Sequence, residues 1–309
     1  MKTFITRTIT ALFFVAIMLG GILWNELSFF LLFFLINFFA LREYMKLVRL
    51  MDSDYGEVSP WHRVGLLIAG CAVMMAVTDR HFGGSGVTMG EIGFVLAFIF
   101  ILLLPLGEIL MSKNFSLKTI GYSMLGLIYV TAPLSMMVDL RLVPFSYSVI
   151  PGWHTTIYPD TVPHWTGYAG SEGILIPLLL IIFIWINDTM AYIVGSLIGR
   201  TPFFPSISPK KTIEGTVGGM ILAIAAAGVF GYFWGAERFG LAWPHWVALA
   251  FIAAIFGTAG DLLESRLKRL AGVKDSGKIM PGHGGFLDRF DSLLVAAPFA
   301  WIYVSLFVR

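Results

Sequence analysis

Long uninterrupted apolar runs constrain this chain more than any other feature. Window after window holds about 18 or more largely apolar residues, enough to cross the hydrocarbon core of a bilayer as a helix. Inside lipid the backbone has no water to bond, so a spanning segment must close its own hydrogen bonds. The chain therefore reads as all-α, a polytopic integral membrane protein with about nine transmembrane helices. The spans fall near residues 8–24, 26–41, 64–79, 91–111, 119–138, 173–198, 215–235, 245–263 and 291–308. A length of 309 residues would permit two soluble domains, but 57% hydrophobic and 13% charged residues argue against that class, because soluble domains carry about twice that charge. Lys2 and Arg7 before an apolar run imitate a signal peptide; without a small-residue cleavage site the run is read as a retained helix. The lone Cys71 has no internal disulfide partner.

Basic residues set the orientation, since they concentrate on the cytoplasmic side. With the N-terminus inside, the outside segments hold only Arg80, Arg141, Arg238 and Arg309, leaving 17 of the 21 Lys and Arg inside. Residues 1–172, about five spans plus an outside loop, read as an N-terminal scaffold. Residues 173–309, about four spans with cytoplasmic loops, read as the catalytic region of the same continuous membrane domain. The outside segment Asp139–Glu172 carries Trp153, Tyr158, Trp165 and Tyr168, which suit the membrane–water interface.

The most polar run is Gly260–Ser292. Asp261, Glu264, Ser265 and Lys268 follow i, i+3, i+4, i+7 spacing and share a helical face. A solvated helix end with ion pairs accounts for Arg266 and Arg269, but poorly for Asp261, which stands where the apolar run stops; an acid at membrane depth is by default a site residue. Asp288 and Asp291 lie one turn apart at the start of the last span. Either acid alone could be a dipole partner at a helix start, but together with Asp261 they require cations. Mg²⁺ suits such oxygen donors, because it binds through one or two carboxylates plus substrate phosphates. Between these acids, Pro281-Gly282-His283-Gly284-Gly285 is either a plain turn or a backbone nest for an anion. A single histidine argues against zinc.

Two further segments carry chemistry. Asp188 is an acid within the sixth span, on a stripe with Tyr192, Gly195 and Gly199 that admits close approach by a helix or a ligand. Lys210 and Lys211, in Ser208-Pro209-Lys210-Lys211-Thr212-Ile213-Glu214-Gly215, could meet anionic lipid or hold triphosphate oxygens as point charges.

On these residues the sequence resembles the phosphatidate cytidylyltransferases, or CDP-diacylglycerol synthases. The resemblance rests on Ser265-x-x-Lys268-Arg269, Lys274-Asp275-x-Gly277 and Pro281-Gly282-His283-Gly284-Gly285-x-x-Asp288-Arg289-x-Asp291. Asp188-Thr189-x-Ala191-Tyr192-x-x-Gly195 and the 208–215 segment add to it. It covers about residues 173–309; the first 172 match only as a series of apolar spans. It implies condensation of CTP with phosphatidic acid to CDP-diacylglycerol and pyrophosphate, dependence on Mg²⁺ at a paired site using Asp261 and Asp288, and a homodimer in the cytoplasmic membrane with its site open to the cytoplasm. Asp188, Lys268 and Arg269 join the two metal acids as catalytic residues. Asp188, Glu264 and Asp291 are secondary acids. Lys210, Lys211, Ser265, Lys274, Asp275, Gly282, His283, Gly284, Gly285 and Arg289 form the substrate-binding set. No nucleic-acid partner is expected. A CDP-alcohol phosphotransferase would show a DG-x-x-AR…G-x-x-x-D-x-x-x-D pattern, which is absent here. An ion-coupled transporter would spread its acids over both halves of an inverted repeat, whereas these cluster in the C-terminal half.

Overall fold

A computed structural model describes residues 2–78, 86–111, 116–142, 172–235, 241–277 and 284–308. The helices in order are α1 (Lys2–Leu23), α2 (Glu26–Met51), the short α3 (Ser53–Gly56), α4 (Pro60–Ala76), α5 (Met89–Met111), α6 (Leu117–Gly126), α7 (Ala132–Leu142), α8 (Leu175–Ile198), α9 (Ile213–Phe230), α10 (Trp243–Leu270) and α11 (Leu287–Phe307). A π-helical turn, Leu127–Thr131, joins α6 to α7, and another, Gly231–Gly235, closes α9. Among the described residues seven helices are long and apolar enough to cross a membrane, and Leu12–Leu23 and Pro60–Ala76 are shorter apolar helices. The protein is an all-α, multi-pass membrane protein.

Local chemistry explains the boundaries. Asn25 caps α2 with a reciprocal box: Ser28 N–H donates to Asn25 Oδ1 at 2.7 Å, and Asn25 N–H donates to Ser28 Oγ at 3.0 Å. That box makes the expected hairpin between the first two spans. Two helices outrun the spans read from hydropathy. α2 continues from residue 41 to Met51, and α10 from 263 to Leu270. Hydropathy marks where the apolar run stops, whereas the backbone ladder continues through good helix formers such as Arg, Glu, Lys and Leu. At 28 residues, α10 is about 42 Å long, so its last turns carry charge beyond the apolar part.

The 199–215 segment, expected as a loop, contains an antiparallel hairpin. In it β1 (Pro202–Phe204) pairs with β2 (Ser208–Thr212), with Pro202 opposite Thr212 and Phe204 opposite Ser208. Thr212 then caps α9, its hydroxyl accepting from Gly215 N–H at 3.2 Å. α8 and α9 touch backbone to backbone. A Cβ on Gly219 would lie 2.8 Å from Ala191 N and Asn187 O, and one on Gly215 2.8 Å from Gly195 Cα. The Gly195 side of the small-residue stripe is therefore a helix contact, while Asp188 and Tyr192 are exposed.

Packing gathers the charged helix ends at one end of the bundle. The C-terminal turns of α2 and α10, the hairpin and the start of α11 meet there through side-chain contacts. The opposite end is held by Trp301, which donates to Asp139 Oδ2 at 2.7 Å, and by Arg141 paired with Glu26 at 3.6 Å. Residues 143–171 of the outside loop lie outside the described residues. In the N-terminal half, His62 lies 3.1 Å from Glu108 and 2.7 Å from the Ser123 hydroxyl. This order resembles a hydrolytic triad, but the buried His62, Glu108 and Ser123 spend their polar atoms on one another and on Tyr55, so the trio clasps α4, α5 and α6.

Candidate active site

The acids of the polar run sit where three helices converge. Asp261, Glu264, Ser265 and Lys268 do share one face of α10: the Ser265 hydroxyl donates to Asp261 Oδ1 at 3.4 Å, and Lys268 pairs with Glu264 one turn back. Lys268 also donates to Asp288 Oδ1 at 2.7 Å, joining α10 to the start of α11. Lys211, on β2, pairs with Asp261 Oδ2. Asp261 is within electrostatic reach of Asp188 on α8 and of Asp291 on α11. Three helices and the hairpin thus bring five acids and two lysines into one cluster. Glu264 is wholly buried and Asp291 nearly so, whereas Asp188 is exposed.

The loop before α11 is shaped around Asp288. Its Oδ2 accepts from Ser276 N–H at 3.0 Å, the Ser276 hydroxyl at 3.0 Å and Gly285 N–H at 2.7 Å. Gly284 has φ +83°, a conformation L side chains rarely adopt, and a Cβ there would lie 2.6 Å from Asp288 Oδ2. The backbone donors of this turn therefore face Asp288 in this structure. Gly282 and His283 lie outside the described residues, so the nest expected there has no described geometry.

The remaining substrate-set residues surround the cluster. Lys210, Lys274, Asp275 and Arg289 are exposed at the same end. Arg269 donates from Nε to the Ile207 carbonyl at 3.3 Å and so ties α10 to the hairpin turn. Glu214 accepts from the N–H groups of Arg200 and Thr201 and from the Thr201 hydroxyl at 2.8 Å, which holds the base of the hairpin.

Sequence reasoning missed Glu43. This α2 residue is buried, and its Oε2 accepts from the Ser276 hydroxyl at 2.8 Å and from Leu287 N–H at 2.9 Å. A Cβ on Gly277 or Gly285 would collide with the Glu43 carboxylate, so the two glycines make room for it. Nearby, Lys46 reaches the Ser276 carbonyl at 3.5 Å. The signal in the sequence was weak: one acid among Arg42, Lys46 and Arg49 reads as a solvated helix end.

Chemically the cluster offers hard oxygen donors and ammonium groups. Among the described residues no group of three or more His, Cys, Asp or Glu side chains is placed to hold a metal ion by itself. Mg²⁺ does not need one, since it retains waters and takes substrate phosphates as ligands. The donor set is oxygen only, and the buried Glu264 Oε1 has no hydrogen-bond partner. Oxygen donors of this kind suit a hard cation better than a soft one.

The chain is similar to known proteins over nearly its whole length. The model of the Cytidylyltransferase family matches residues 5–307. A phosphatidate cytidylyltransferase of Staphylococcus saprophyticus is 32% identical over 94% of this chain and 95% of its own length. One from Synechocystis is 33% identical over 88% of this chain and 86% of its own, and one from Bacillus subtilis 28% identical over 98% and 97%. The similarity therefore runs through the N-terminal half as well as the motif-bearing half.

Proposed function

The chain belongs to the cytidylyltransferase family, and we propose that the acid and lysine cluster where α8, α10 and α11 meet the hairpin joins CTP to phosphatidic acid. The observation that carries this reading is the meeting of five acids and two lysines from separate elements at one end of a membrane bundle. A phosphate monoester oxygen of the lipid attacks the α-phosphorus of CTP. The new P–O–P bond forms as the bond to the β-phosphate oxygen breaks, and pyrophosphate leaves with the electron pair. The nucleophile is already anionic, so no strong base is needed. The protein must bring two polyanions together and neutralise charge, which is mostly positioning and electrostatics.

Each residue then has a role. Asp261 and Asp288 would hold Mg²⁺, with Asp188, Glu264 and Asp291 as further acids around it. Bound Mg²⁺ would neutralise developing charge on the phosphate oxygens. Lys211 and Lys268 exchange a carboxylate partner for phosphate oxygens when substrate binds. Lys210, Arg269 and Lys274 extend the cationic surface toward the aqueous side, where CTP arrives. Ser276 and the turn at Gly284–Gly285 keep Asp288 in place.

The direct test supplies the purified enzyme with labelled CTP, phosphatidic acid and Mg²⁺. Label should enter the lipid phase with one pyrophosphate released per lipid product. A CTP pool left intact in this assay, with CMP released only when a CDP-lipid and an alcohol are supplied instead, would replace this reading with a CDP-alcohol phosphotransferase.

The same reading sets the site on the cytoplasmic face of the cytoplasmic membrane. It is supported by the uneven basic residues and by the gathering of the charged ends on one side of the bundle. Asp275 is exposed there. In a Cys71→Ala background, Asp275→Cys should react with an impermeant maleimide only after the cytoplasmic face is opened. Labelling of intact cells would invert the topology.

A further inference from the structure

The π-helical turn Leu127–Thr131 lies halfway along the α6–α7 span, packed against α2, α4 and α11. A π turn inserts an extra residue into the helical ladder and is over-represented at functional sites. Here it presents Tyr129. The side chain is 9% exposed, and its ring lies 6.2 Å from that of Tyr44. Its hydroxyl is buried without a hydrogen-bond partner among the described residues. A buried hydroxyl without a partner is uncommon and calls for an explanation. The neighbouring Tyr44 hydroxyl is satisfied, donating to the Tyr122 carbonyl at 3.0 Å. α11, which carries Asp291, packs against this π turn, and Asp291, Glu264 and Asp261 act electrostatically on Tyr129, so the unmatched donor lies on the side of the acid cluster.

We propose that the Tyr129 hydroxyl is a substrate-contacting donor at this site, bonding a phosphate oxygen of the lipid or of CTP. The inference rests on the reaction proposed above and adds to it a contact from the N-terminal half. The two lysines inside the cluster, Lys211 and Lys268, are cations whose charge Asp261, Glu264 and Asp288 already balance in part. A neutral phenol donates to a phosphate oxygen without adding charge to a buried acidic pocket. Tyrosine suits this place because its ring fills the apolar packing while its hydroxyl stays polar.

The test uses full-length enzyme in detergent or nanodiscs, with Tyr129→Phe compared to wild type. Thermal stability and the kinetic parameters for both substrates are measured. Removing a donor that lacks a protein partner should leave the Tm unchanged or raised. Activity should fall by about 10- to 100-fold, the scale expected for one donor at a reacting phosphate. A raised KM for phosphatidic acid alone assigns the lipid phosphate, and a raised KM for CTP alone assigns the nucleotide. A lower kcat with both KM values unchanged assigns a contact made only in the transition state. Tyr44→Phe is the control: it loses a real hydrogen bond, so its Tm should fall while its kinetic parameters stay near wild type. Two results would overturn the proposal: Tyr129→Phe matching wild type within about twofold in every kinetic parameter, or Tyr129→Phe losing stability as Tyr44→Phe does. A wild-type enzyme inactive with CTP and phosphatidic acid would instead remove the underlying reaction, before any variant is compared.

Discussion

Replacing Asp261 or Asp288 by Asn should lower turnover at least about a hundredfold while the folded protein stays in the membrane. The two substitutions act through different contacts. Asp261 takes Lys211 on one oxygen and Ser265 on the other, so an amide weakens the partner that links α10 to the hairpin. It also removes the negative charge that Mg²⁺ would need. At Asp288 the amide has no good orientation. One oxygen accepts three hydrogen bonds and the other takes Lys268. An amide NH₂ turned toward Ser276 and Gly285 sets donor against donors; turned toward Lys268, it faces an ammonium. The check is kcat at saturating Mg²⁺, with membrane content measured by blot and thermal stability in detergent. A variant that kept more than about a tenth of wild-type activity would have lost less than ~1.4 kcal/mol of transition-state stabilisation. Such a residue would not be a metal ligand.

Glu43→Ala should give the second large effect, from a residue that the catalytic motifs do not contain. Its carboxylate bonds Ser276 and Leu287, at the two ends of the loop that leads into α11 and Asp288. Removing it leaves the Leu287 N–H in need of a partner, at roughly 1–3 kcal/mol if it stays buried and unmet, and leaves the Ser276 hydroxyl to Asp288 alone. The loop then no longer has a fixed place against α2, and Asp288 moves with it. A displacement near 1 Å at reacting groups can cost on the order of a hundredfold in rate. Glu43→Ala should therefore lose about that much activity and also unfold at lower temperature. Glu43→Gln keeps one acceptor oxygen and should recover a large part of both. Gly285→Ala approaches the same contact from the other side, since its methyl would collide with the Glu43 carboxylate and the Ser276 hydroxyl. If Glu43→Ala were stable and fully active, Glu43 would be a bystander and the loop would hold its shape without α2.

The parts of the site that were legible in advance are those whose partners lie close in sequence. Asp261, Glu264, Ser265 and Lys268 recur at helical spacing, so the 3.6-residue repeat alone sets them on one face. Asp288 and its turn stand three and four residues apart, and the glycine-rich spelling by itself marks a backbone bend. The seven long apolar helices were legible for the same local reason, because a run of apolar residues in lipid can satisfy its backbone only as a helix. Helix ends were less legible: α2 and α10 pass beyond their apolar runs because hydrogen bonding continues where hydropathy stops.

What only the tertiary structure decided is which distant residues share a space. Glu43 meets Ser276 across 233 residues. Its own neighbours Arg42, Lys46 and Arg49 describe a solvated helix end, and nothing local says that α2 will press this one acid against two glycines. Tyr129 gives the same lesson. In the sequence it is one aromatic in an apolar span, and the role proposed for it depends on a π turn that no local spelling announces and on a hydroxyl left unmatched once α2 and α11 have packed around it. Lys211 was legible as a cation at the membrane surface, but its choice of Asp261 followed from a hairpin that folds back onto α10. Local pattern determines secondary structure and which face a residue shares. Burial, pairing and the unmet hydrogen bond arise only when segments far apart in sequence exclude water from the same volume.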